Sequence, residues 1–233
     1  MIKFKKGFTY AEGLMVLAIM AIIAVVALPL LKGATPNSEH LMFRKAYYLF
    51  SNMVNELVND EELYPDGDGD AVYLANTKEV EENGVTYSGE TKFCQLVAAR
   101  LNIVKDPVCE EKVFVDGEAP DGQFTTTDGM VWILPITEFN EDDYIEVIPE
   151  PDPENPDVVP EPVMQDNRPK AYIDTNGDKA PNCFYVKPEE EGQEASCKEP
   201  DRFAIIIKKD GRIRVEGDKE IEYLESENVT KSK

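Results

Sequence analysis

From Leu14 to Leu31 the chain runs through 18 consecutive apolar residues, and this stretch constrains the molecule more than any other. As a helix it sits at the lower edge of what crosses a hydrocarbon layer about 30 Å thick. Taken from Phe8, the segment lengthens to 24 residues, enough to span with some tilt. Lys3, Lys5 and Lys6 precede it and no acid does, a charge bias that keeps the start in the cytoplasm and exports the remainder. A cleaved secretory signal would carry a shorter apolar core, about 7–15 residues, closed by a small-x-small site. A plain signal anchor explains the length but not Glu12, whose carboxylate inside such a segment costs roughly 2–3.5 kcal/mol. That acid marks a functional position.

The string KKGFTYAEGLMVLAIMAIIAVVALP resembles the class III signal of type IV prepilins and type II secretion pseudopilins. The resemblance covers about 25 residues and implies a basic leader ending at Gly7, cleavage after it by prepilin peptidase, and N-methylation of Phe8. Counted from Phe8, Glu12 is the fifth mature residue and Pro29 the twenty-second, both positions the family favours. In that family the glutamate neutralises the terminal amine of a neighbouring subunit. Pairing of opposite charges offsets part of their burial cost and fixes axial register. Tyr10, Ala11 and Gly13 depart from the bulkier aliphatic pattern of the family, and Gly13 softens the helix. Pro29 removes one intrahelical hydrogen bond and is expected to kink the helix.

The resemblance implies an α+β, pilin-like fold, with a long N-terminal transmembrane and amphipathic helix packed on a small antiparallel sheet. It divides the chain into a leader (1–7), a membrane and filament-core helix (8–31), an exported helical half (32–60) and a periplasmic or extracellular domain (61–233). The implied function is a structural subunit of a type IV pilus or type II secretion pseudopilus, placed as a single-pass protein of a bacterial inner membrane. Its partners would be other pilin or pseudopilin subunits, prepilin peptidase and an inner-membrane assembly platform. The alternative is a membrane-anchored, calcium-dependent binding or adhesion module of the cell surface.

Beyond the apolar run, residues 39–58 return to helical spacing, with Met42, Phe43, Ala46, Tyr47, Phe50, Met53, Val54 and Leu57 on one stripe. A second helix is expected over 91–102. Strands follow at 112–115, 129–136, 144–148, 170–174 and 203–215, the last a hairpin turning at Lys209-Asp210-Gly211. A short helix is expected at 218–226. Between Glu138 and Asp166 lie eleven acids and no Lys or Arg, with six prolines after Tyr144. Such a stretch builds no core and reads as an extended loop between strands.

The formal net charge is −22, and it falls almost wholly after residue 58. A chain this acidic repels nucleic acid, so no nucleic-acid partner is expected. The four cysteines show no Cys-x-x-Cys spacing and fall into local pairs, Cys94 with Cys109 and Cys183 with Cys197. Two disulfides in an oxidising compartment are expected with that near-neighbour pairing, the other two pairings remaining open.

Asp174, Asn176 and Asp178 place oxygen ligands on alternate positions beside Gly177, a spacing that suits a hard cation such as Ca²⁺. The loop is an incomplete EF-hand pattern, because the twelfth position falls on Tyr185, and it can equally be a plain Asx turn. Some pseudopilins bind calcium in a stretch similar to this one; Asn182 and Asp201 are possible further ligands. Asp66, Asp68 and Asp70 form a second, more generic acidic loop. No catalytic site is expected. The single histidine, His40, adjoins the apolar segment, and no P-loop, nucleophile elbow or zinc-protease motif occurs. Carboxylates are abundant, so a paired-acid hydrolase on a stalk is a third reading, but nothing singles out a pair.

Overall fold

A computed structural model describes residues 14–20, 38–65, 73–137, 139, 144–149, 161–188 and 195–226. The chain divides into two units, Met1–Leu41 and Met42–Lys233. In the first, residues 14–20 are helical.

Helix α1, Ser38–Val58, ends where the Asn59 side chain donates to the Asn55 carbonyl at 2.6 Å. The expected stripe is the buried one: Phe43, Ala46, Phe50, Val54 and Leu57 are fully enclosed. The helix expected over 91–102 is α2, Lys92–Arg100, which buries Phe93, Cys94, Leu96, Val97 and Ala98. The C-terminal helix α3 is Asp218–Glu225.

Among the described residues the strands are, in order, β1 Val80–Glu82, β2 Val85–Tyr87, β3 Phe124–Thr125, β4 Val131–Ile133, β5 Tyr144–Val147, β6 Val163–Asp166, β7 Lys170–Asp174, β8 Arg202–Ile207 and β9 Ile213–Arg214. The central sheet has the order β3-β4-β7-β8-β9, and all its pairs are antiparallel. The β1–β2 and β5–β6 pairs are separate two-stranded ribbons. The first turns through Asn83 and Gly84, both at positive φ (55° and 78°), as a type I′ turn requires.

Register organises the core. Phe124 lies opposite Trp132, Trp132 opposite Ile173, and Ile173 opposite Phe203, so one face carries a continuous apolar row across four strands. Helix α1 packs on this row: Phe43 stacks on Phe203 with ring centroids 4.2 Å apart, and Phe50 lies 5.7 Å from Trp132. Side chains one residue along, including Val131, Asp174 and Arg202, share the opposite face.

The long N-terminal helix packed on a small sheet, and with it the transmembrane helix and single-pass inner-membrane placement, is contradicted by the helices observed. Among the described residues no helix is long and apolar enough to cross a membrane. Of the apolar segment, residues 14–20 are described, and as helix they account for a rise of about 10 Å. Helix α1 has the length, 21 residues, but carries Glu39, His40, Arg44, Lys45 and Glu56 among its apolar positions. The sheet it packs on has five strands. Residues 112–115 are likewise not a strand but irregular chain, with Val113 and Val115 exposed.

Candidate functional site

The calcium-like loop follows β7 directly, and its first residue is committed elsewhere. Asp174 and Arg202 are cross-strand neighbours, and both side chains are wholly buried. Arg202 Nε donates to Asp174 Oδ2 at 2.9 Å. Its two terminal nitrogens donate to the Val115 and Glu118 carbonyls, both at 2.5 Å, and the guanidinium lies 4.9 Å from the centre of the Phe114 ring. Segment 114–118 is therefore tied to the sheet by an arginine that takes two of its carbonyls, Val115 and Glu118.

The other Asp174 oxygen, Oδ1, accepts from Gly177 N at 2.8 Å and Asn176 N at 3.3 Å, an Asx turn. Burial pushes the Asp174 carboxyl up; the Arg202 hydrogen bond opposes this, and the charge of Asp201 adds to it. Asp201 accepts from Asn182 N at 2.8 Å through Oδ2 and from Cys183 N at 2.9 Å through Oδ1. The Asn182 amide, oriented to satisfy its neighbours, donates to the Gly177 and Lys179 carbonyls at 3.1 and 3.2 Å. Asp178 is exposed.

A Ca²⁺ ion needs six to eight oxygens turned inward. Here all four carboxylate oxygens of Asp174 and Asp201 face N–H donors, and among the described candidate ligands Asn176 Oδ1 is buried without a partner. Among the described residues no group of three or more His, Cys, Asp or Glu could hold a metal ion. As folded, Asp174 and Asp201 act as a structural clamp within the domain. Gly7, Phe8, Glu12, Pro29, Asp66, Asp68 and Asp70 lie outside the described residues.

Both disulfides form as expected, Cys94–Cys109 and Cys183–Cys197. The first ties α2 to the loop ahead of the Arg202 clamp. The second closes the β7–β8 connection next to Asp201. Chain entropy alone makes each worth about 3 kcal/mol.

One ionisable group was not legible as special in the sequence. Lys92, at the start of α2, is 1% exposed. Its ammonium donates to the Asn76 and Lys78 carbonyls, both at 3.0 Å, and sits 4.4 Å from the centre of the Tyr64 ring. These dipoles replace water only in part, and burial pushes its pKa down to about 8 from 10.5. The folded state thus releases its proton before the unfolded state does. Native stability is expected to rise from about pH 8 towards pH 10, above which Tyr64, pushed up by burial, begins to oppose it. Denaturant melts across that range on the protein and on Lys92→Met check this. The rise should vanish in the variant, and an equal rise in both would remove Lys92 as its source.

No family model, curated protein or solved structure matches this chain.

Proposed function

We propose that this chain is a structural subunit of a type IV pilin-like filament, a pilus or a type II secretion pseudopilus, freed of its leader after Gly7 and assembled through the segment that follows. The observation that carries this reading is Glu12, a lone carboxylate in an apolar run, four residues after Phe8 and five after Gly7. A buried carboxylate is tolerated where an opposite charge meets it. The Phe8 amine created by cleavage in a neighbouring subunit supplies that charge. The reading rests on processing and assembly, not on a pilin-like architecture. The disulfide-stapled domain is consistent with a building block, since its buried charges serve internal ties.

The experiment is the intact mass of the chain isolated from cells that contain prepilin peptidase. A chain starting at N-methylated Phe8 is expected, and a Met1 start overturns the proposal. Glu12→Ala should still be cleaved while filament yield drops at least tenfold. Normal filaments from that variant would refute the charge-pair mechanism.

A further inference from the structure

The chain holds two Asn-Gly pairs, Asn83-Gly84 and Asn176-Gly177, and the fold places them in opposite surroundings. Asparagine before glycine is open to an uncatalysed reaction. The glycine backbone nitrogen attacks the side-chain carbonyl carbon of the asparagine, since no Cβ on the glycine hinders the approach. A C–N bond forms, ammonia leaves, and a five-membered imide remains. Water then opens the ring at either carbonyl, giving aspartate or isoaspartate. One water is consumed and one ammonia released, with no change of oxidation state. The reaction needs a glycine nitrogen that is not engaged, access for water, and a backbone able to rotate into the ring.

The second pair is denied all three. Gly177 N donates to Asp174 Oδ1 at 2.8 Å, and Gly177 is buried. A side chain at Gly177 would stand 2.9 Å from the Gly129 carbonyl oxygen, so the backbone has no room to turn. The first pair meets each requirement. Asn83 and Gly84 are both exposed, and the place of a Gly84 side chain is open to 4 Å. The ladder closes on Glu82 opposite Val85, so the Gly84 N–H, a central amide of the turn, takes no part in it. The β1–β2 ribbon is a separate sheet of two three-residue strands. A ribbon this small is marginal, and its tip opens at low cost. The tie at that end is Arg100, which donates to the two Glu82 carboxylate oxygens at 3.0 and 3.3 Å.

We propose that Asn83 is a modification site, deamidated spontaneously through opening of the β1–β2 tip, while Asp174 protects Asn176 from the same fate. The product places a new carboxylate beside Glu79, Glu81 and Glu82. Its isoaspartate form also adds one atom to the backbone of a two-residue turn, whose geometry the type I′ hairpin does not tolerate. Both changes work against the Glu82–Val85 closure. Deamidation runs one way, so the state of this turn records the age of the molecule. The site stands or falls independently of the filament proposal.

The test incubates the full, disulfide-bonded chain in mildly alkaline buffer and follows both Asn-Gly peptides by mass spectrometry over time. An amide-to-acid mass gain at Asn83, with isoaspartate among the products, is expected at least tenfold faster than at Asn176. Equal rates, or a faster Asn176, overturn the proposal. A reduced and unfolded sample runs in parallel, and there the two rates should come within threefold of each other. A tenfold gap that persists in the unfolded chain would assign the difference to neighbouring sequence and overturn the role of the fold. Arg100→Gln frees Glu82 and should speed the native Asn83 reaction at least threefold. An unchanged rate in that variant would overturn opening of the tip as the step that gates it.

Discussion

Arg202→Met is expected to lower the unfolding free energy by about 3–5 kcal/mol, the cost of leaving a buried charge without its partner. The substitution nearly preserves side-chain volume, so the loss is electrostatic. Asp174 would keep its two backbone N–H donors but face the space left by the guanidinium, and the Val115 and Glu118 carbonyls would lose theirs. For a domain of this size each kcal/mol moves the melting temperature by about 2–4 °C, so a fall of roughly 6–20 °C is expected in a thermal melt. The double variant Asp174→Asn with Arg202→Met should recover part of that loss, since a neutral amide oxygen still accepts from Gly177 N. A loss below about 1 kcal/mol in the single variant would mean that water or a shifted side chain replaces Arg202 with ease.

Phe50→Ala is the second large effect, about 3–5 kcal/mol from lost burial and the cavity left behind. Phe50 is fully buried, tilted against Trp132 and edge-on to Phe93 at 6.4 Å, so it joins α1, the sheet and α2. Leu49, its neighbour in sequence, is 41% exposed and points away from that junction. Leu49→Ala should cost well under half as much as Phe50→Ala in chemical denaturation. Equal losses at the two positions would show that α1 does not use the stripe as packed here.

How much of this was legible in the sequence depends on how local each signal is. The α1 stripe, α2, the Asp210-Gly211 hairpin and both cysteine pairs rest on spacings of 15 residues or fewer, and each has its expected counterpart in the structure. The role of Asp174 was not legible. Its partner lies 28 residues away, and only the β7–β8 register brings the two together. Without that register, Asp174, Asn176 and Asp178 read as cation ligands. Residues 112–115 misled for a related reason: a β-branched and aromatic run suits a strand, but whether a strand pairs is decided by a distant edge, and here the Val115 carbonyl meets Arg202 instead. The β1–β2 turn carries a local hairpin signal at Asn83-Gly84, but its flanking runs of three residues are too short to stand out as strands. The apolar run suggested a spanning helix because hydrophobic length measures capacity to span, and no described helix combines that length with that apolarity.

The Arg202 clamp also bears on the order of folding. Its carbonyl partners lie 84 and 87 residues before it in sequence, among the longest-range ties in the domain. Closing so large a loop comes late, after α2 and the hairpins have gained what local contacts offer. Until then a collapsing chain would hold an arginine whose charge has no home in the interior, which disfavours compact states of wrong topology. The clamp is thus expected to act as a checkpoint, since its bonds require the arrangement that brings β7, β8 and the 114–118 segment together.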